Sequence, residues 1–219
     1  MANLRDVHFV EADLRYANLS GADLTLANLS QAKLSGTCLE YANLTSANLS
    51  CATLYCAKLR GAKMNDANIV GAILERANLK RATLSNSKIG VHSGRGRKTI
   101  FTNAILTGAT FIGCAFVCSN DIIRSISEED RCDTLNEATL LGANFSNTLL
   151  GTVNFEEKDL RGCNFSGAYL EDACFGRANL RGAKFIGADL TNAQFNNATL
   201  DFADFRGASL TNVKWPSTQ

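Results

Sequence analysis

Residues 16–30 read YANLSGADLTLANLS, three blocks of five with alanine second and leucine fourth in each. A helix repeats near 3.6 residues and a strand near 2, so neither explains a leucine at every fifth position. The rule extends far beyond this stretch. From Leu4 to Ile89 every fifth residue is apolar, through eighteen consecutive blocks. It resumes at Phe101, Leu106, Phe111 and Phe116, and runs again from Leu140 to Trp215. Two residues before each centre stands a small residue, mostly Ala, with Val7, Thr37 and Ser87 as departures in the first run.

In an extended segment, positions i and i−2 point to the same side. A large residue at i and a small one at i−2 therefore share one interior. Positions i−1, i+1 and i+2 are mostly Asn, Asp, Lys, Arg, Ser, Thr and Gly, which belong outside or at corners. Three extended residues and a two-residue corner make one side of a tightly wound coil. No coil buries its own apolar residues, so each must stack on the next.

The number of sides follows from the last run. Phe145, Phe165, Phe185 and Phe205 alternate with Phe155, Phe175, Phe195 and Trp215, and leucines occupy every centre between them. Aromatic and leucine centres thus repeat every ten residues, which an even number of sides turns into ladders of like on like. Four sides and 20 residues per coil is the smallest solution. It places the two aromatic series on opposite walls.

Blocks such as YANLS, GADLT and RANLK resemble the pentapeptide-repeat family. The resemblance implies an all-β fold, a right-handed quadrilateral β-helix with about 20 residues per coil, whose i and i−2 side chains point inward. It covers 1–219 as a single domain, with repeats at 2–90, 99–118 and 138–215 and two loop insertions at 91–98 and 119–137. The motif specifies a fold; members of the family have very different roles.

The first insertion lies in VHSGRGRKTI, where the step from Ile89 to Phe101 is twelve instead of five. It carries Arg95, Arg97 and Lys98 and no acid. Its glycines do not make a phosphate loop, because Arg97 follows Gly96 where a lysine is required and no strand-to-helix context surrounds it. The second insertion, 119–137, has six acids and two bases, among them Glu128, Glu129 and Asp130. Ile122, Ile123 and Ile126 within it suit one amphipathic turn against the coil. Loops on rigid scaffolds carry function disproportionately, so these six charged residues are the candidate interaction sites.

The remaining chemistry is sparse. His8 and His92 are the only histidines, neither beside a Ser or Cys that it could activate. The eight cysteines fit no zinc spacing; Cys118 and Cys132, bracketing the acidic insertion, are the one candidate disulfide. Cys114 and Cys163 occupy inward small positions. No catalytic residue, metal or cofactor is expected. The opening MANLRDVHFV lacks a basic segment followed by an apolar run, and no stretch suits a membrane span, so a cytoplasmic location is expected. A net charge of +1 gives no global reason to bind nucleic acid.

The expected function is a noncatalytic scaffold for an unidentified protein partner, with end-to-end homodimerisation through the first coil. The alternative is a DNA-mimicking protein that binds or protects DNA gyrase, a role the resemblance implies for one branch of the family. Mimicry of a duplex requires a surplus of carboxylates, and the coil segments offer none.

Overall fold

The computed structural model describes residues 2–92, 97–102, 104–111, 114–117, 135, 137–151 and 153–216. The chain winds as a stack of square coils. Parallel bridges join Asn3 to Asp23, Asp23 to Asn43 and Asn43 to Lys63, a spacing of 20 residues, and the same spacing runs from Asn144 to Asn164, Lys184 and Asp204. Four walls result. Wall 1 carries the centres Leu4, Leu24, Leu44, Met64, Leu84, Phe111, Phe145, Phe165, Phe185 and Phe205. Walls 2, 3 and 4 begin at Phe9, Leu14 and Leu19.

Each block accounts for its backbone N–H groups by position. The N–H of a centre and that of the second corner residue donate to the following coil, as Leu4 does to the Asp23 carbonyl and Asp6 to the Thr25 carbonyl. The i−1 N–H donates back to the preceding coil, as Asp23 does to the Ala2 carbonyl. The i−2 N–H closes the corner, as Ala17 does on the Leu14 carbonyl at 3.1 Å. Only the first corner residue lacks a backbone acceptor. Asn or Asp at i−1 supplies one: Asn18 Oδ1 accepts from the Ser20 N–H at 3.1 Å and Asn48 Oδ1 from the Ser50 N–H at 3.1 Å. This explains the frequency of Asn and Asp at that position, since their short side chains bond the backbone two residues on.

The expectation of extended sides is met by single bridges more than by strands. Among the described residues, continuous strand is confined to β1 (Lys88–His92), β2 (Arg97–Lys98) and β3 (Ala115–Val117). The cause is the corner. Its second residue holds a positive φ, between 52° and 62° at the non-glycine positions, so extended backbone cannot run past it. This conformation opposes the intrinsic preference of an L-residue. In most coils the same residue's N–H is bound to the next coil, which reinforces this conformation, although Asn197, Phe202 and Asn212 in the last coil hold the same φ without such a backbone bond.

Inside, the two aromatic ladders stand on opposite walls and interlock. Phe145 and Phe165 are stacked at 5.4 Å, Phe155 and Phe175 at 5.1 Å, and Phe195 and Trp215 at 5.5 Å. Across the interior, Phe155 meets Phe165 edge-on at 5.5 Å. Both geometries are the favoured ones for ring quadrupoles. The earlier coils fill the same space with leucine, as at fully buried Leu24, Leu34 and Leu44.

Polar residues at inward positions are satisfied by one repeated bond. Thr37 Oγ1 donates to the Leu14 carbonyl at 2.8 Å, Ser87 Oγ to the Met64 carbonyl at 2.6 Å and Thr148 Oγ1 to the Phe111 carbonyl at 2.7 Å. In each case the acceptor is the centre carbonyl of the coil beneath. That oxygen already accepts the corner N–H, and the hydroxyl takes its second lone pair.

The bridge spacing records both interruptions. It becomes 27 at Ile73–Ile100 and 34 at Ile105–Thr139 before returning to 20. The repeat resumes earlier than the expected 138: Leu135 is fully buried and its carbonyl accepts from the Ala138 N–H, the bond made by most other centres. One more block thus belongs to the coil, and Leu135 stands in the wall 3 position between Phe101 and Phe155. The sequence hid it because Asp133 and Thr134 precede it, where Ala and Asn are usual.

Truncating Phe175 to Ala leaves a cavity within a stacked ladder, and the expected loss is about 3–5 kcal/mol by denaturant unfolding. A Cβ added at Gly182, where φ is +66°, meets nothing within 4 Å. Gly182→Ala therefore isolates the cost of the left-handed corner, expected at about 1–2 kcal/mol. A negligible change in the same assay would mean that the ladder imposes no such strain.

Candidate interaction surface

Both insertions leave the coil at one corner, between walls 2 and 3, in successive coils. The first separates Ile89 from Phe101 and the second separates Phe116 from Leu135. Their roots are joined. β1 pairs in parallel with β3 (Ile89 with Phe116, Gly90 with Val117) and antiparallel with β2 (Val91 with Lys98, His92 with Arg97). The basic segment expected to be a loop therefore begins and ends as a two-stranded ladder. Gly90 makes this possible with φ at 149°, a backbone conformation that L side chains rarely adopt, which carries the chain straight past the usual corner.

Thr99 seals the root. It is fully buried, its hydroxyl lies 2.8 Å from the Ile69 carbonyl, and it accepts from the N–H groups of Gly71 and Gly90 at 3.2 and 3.1 Å. Of the expected interaction residues, Lys98 is exposed at the end of β2, and Arg97 lies in the same strand. Arg95, Glu128, Glu129 and Asp130 lie outside the described residues, as do Cys118 and Cys132. Above the second root, on wall 2, Leu149 and Tyr169 stand on adjacent coils at 49% and 57% exposure, an apolar step beside the insertions.

Several charges elsewhere on the walls are paired locally. Within the blocks D-L-R, Arg15 grips Asp13 through Nε at 2.8 Å and Nη2 at 2.6 Å; Arg161 with Asp159 and Arg206 with Asp204 repeat the two-pronged contact. The Arg15 hydrogen bonds hold the Asp13 carboxyl down to about 2. Arg161 and Arg206 lower Asp159 and Asp204, and Asp23 is lowered first by Thr25 and then by Arg5.

Cys114 and Cys163 are buried at inward positions, and burial pushes both thiols up to about 12. Neither is a thiolate near neutral pH, so neither is a nucleophile. Cys51 and Cys174, at corner and wall positions that the pattern directs outward, are also buried, because neighbouring coils only ~4.8 Å away close over a small side chain. Cys56 is exposed. The pattern also conceals Lys158, a charged residue at an inward position. Burial lowers its pKa, against the opposing pull of Glu137 and Glu157. Among the described residues no group of His, Cys, Asp and Glu could hold a metal ion, and no helix is long and apolar enough to cross a membrane.

The family described as pentapeptide repeats matches residues 2–31, 27–66, 59–89, 138–177 and 173–212, in eight copies. The chain belongs to the pentapeptide-repeat family. The match stops at residue 89 and resumes at 138, leaving out both insertions and the blocks between them. Among solved pentapeptide-repeat structures, HetL from the cyanobacterium Nostoc sp. strain PCC 7120, involved in heterocyst differentiation regulation, is 28% identical. That alignment covers 97% of this chain and 86% of HetL, with a TM-score of 0.36. Full-length QnrB1, a plasmid-mediated fluoroquinolone resistance protein, is 18% identical over 99% of this chain and 92% of its own, with a TM-score of 0.43. None of the curated proteins matches the chain in sequence.

Two measurements follow. Asp13 binds its proton more weakly folded than unfolded, so its contribution to stability is present above the ordinary carboxylate value of ~3.9 and is lost as the pH falls to about 2. Carboxyl NMR is expected to give a midpoint of about 2 for Asp13, moving up towards ~3.9 in Arg15→Ala. In the second, iodoacetamide on the native protein is expected to label Cys56 and spare Cys163 until denaturant is added. Equal labelling by mass spectrometry would contradict the enclosed position of Cys163.

Proposed function

We propose that this chain is a noncatalytic scaffold that holds a protein partner at the corner between walls 2 and 3. One observation carries the reading: two insertions rooted on the same corner in successive coils and joined by the β1–β3 pairing. A stiff coil fixes the separation of the two roots, while the inserted residues are free of the five-residue rule. By sequence one insertion is basic and the other acidic, so a partner meets both signs of charge side by side, which favours orientation as well as attraction. The exposed Leu149 and Tyr169 add apolar contact next to them. The reading includes a cytoplasmic setting, in keeping with thiols that serve as packing groups.

Gyrase binding by DNA mimicry is the less favoured reading. Asp13, Asp159 and Asp204 are each engaged by an arginine in the same block, and with 22 Lys and Arg against 21 Asp and Glu the chain lacks the acidic surplus that a DNA-binding groove attracts.

Excising 91–97 restores the step between Ile89 and Phe101 to five and leaves Thr99 at its inward position. Excising 120–133 does the same between Phe116 and Leu135, with Ser119 at the inward position. Both variants are expected to fold with unchanged circular dichroism. Quantitative affinity capture from the source cells is expected to recover a partner with the intact protein and to lose it with each excision. The intact protein is expected to leave gyrase supercoiling unaffected at micromolar concentration. Identical capture by all three proteins would remove the binding site from the insertions, and strong gyrase inhibition would reverse the order of the two readings.

A further inference from the structure

A second surface lies on the far side of the coil, along the edge between walls 4 and 1. Lys58, Arg60, Lys63, Lys80 and Arg81 are all exposed there, on two successive coils. Arg60 and Lys80 occupy equivalent corner positions one coil apart, ~4.8 Å along the stack. Arg81 follows Lys80 and runs its stem past Gly108 of the next coil, its Cγ 3.8 Å from where a Cβ would stand.

What sets this edge apart is the absence of neutralisation. Every other arginine with a described side chain has a carboxylate within 4.0 Å, including Arg161 and Arg181 farther along the same edge. Arg60 and Arg81 do not; the three lysines beside them are unpaired too, as lysines are throughout the described residues, so it is the two arginines that distinguish the edge. The one acid of the edge nearby, Glu40 on the preceding coil, forms no ion pair with them. Crowded like charges without counter-charges oppose folding, and the other arginines with described side chains are compensated. A counter-charge from outside is the simplest resolution.

The flanks indicate its kind. On one side stands Tyr41, 58% exposed; on the other stand Ile105 and Leu141, at 41% and 36%. Tyrosine and arginine beside exposed aliphatic groups is the composition of a protein-binding patch. A nucleic-acid duplex presents phosphates in long tracks, and these cations are confined to two coils, bounded by Glu40 and by apolar residues. We propose that the edge between walls 4 and 1 is a docking surface for an acidic protein segment, its carboxylates seated on Arg60, Lys80 and Arg81 and its apolar residues against Ile105 and Leu141. This rests on the reading of the chain as a binding scaffold, but uses neither insertion.

The test employs the full chain, a fluorescein-labelled deca-glutamate peptide and a labelled short DNA duplex, with binding read by fluorescence anisotropy. The peptide is expected to bind at low salt and to weaken as salt is added. Arg60→Glu, Lys80→Glu and Arg81→Glu together are expected to weaken it at least about tenfold. The equally charged control of Arg15→Glu, Arg177→Glu and Arg206→Glu is expected to change it little. The milder Arg60→Gln, Lys80→Gln and Arg81→Gln variant, checked for native circular dichroism, is expected to lose binding as well. Equal losses in the two Glu variants would show that binding follows net charge alone and would overturn the proposal. Absence of peptide binding, or tighter binding of the duplex than of the peptide, would overturn it too. Excision of either insertion is expected to leave peptide affinity unchanged, so this surface and the insertion corner fail or stand separately.

Discussion

The structure depends on a hydrogen bond that crosses from each corner to the coil beyond it. The second corner residue is held left-handed, in many cases without the help of glycine, at positions such as Asp6, Tyr16, Leu26 and Arg177. In isolation each would relax into an ordinary conformation, at a gain of about 1–2 kcal/mol. Where a further coil lies beyond, the bond from its N–H to that coil opposes the change. Corner and stack therefore support each other: the corners return the chain to the same place every 20 residues, and a coil lying beyond binds the corner N–H groups. Local geometry and long-range contact are one condition here, as expected of a repeat array whose units do not fold singly.

The same condition sorts the side chains. An interior one side chain deep from each wall admits a large residue only when its inward neighbour is small, which makes alanine at i−2 a packing requirement. Where a hydroxyl or thiol replaces alanine, the centre carbonyl of the coil below accepts from it, as Leu14 does from Thr37 and Leu140 from Cys163. Lys158 marks the limit of this tolerance. No centre carbonyl can accommodate a long cation, and the residue remains half-buried with its charge disfavoured.

Most of the architecture was legible in the sequence because the five-residue period is imposed by geometry at every block. The ten-residue alternation of Phe and Leu gave the four walls, and the rings stand where it put them. The insertions were visible as breaks in register. Their common corner was not, because that requires counting Ile89 and Phe116 onto the same wall across the first break. Leu135 was missed where Asp133 and Thr134 disguise its block. The basic edge escaped notice for a related reason: Lys58, Arg60, Lys80 and Arg81 look like ordinary exposed charges in one dimension. Their isolation from carboxylates is a fact of the folded surface alone.

The shared root of the insertions has a mechanical consequence. In a one-dimensional stack, each layer is held only by the layers directly above and below, so rigidity is greatest where both are complete. The coils bearing the insertions have full coils on either side, and the leucine-filled part of the core meets the phenylalanine-filled part at that level, between Leu84 and Phe111. The variable segments are thus mounted at the joint between two differently packed columns. Any torque applied at their joined roots would be shared by both columns.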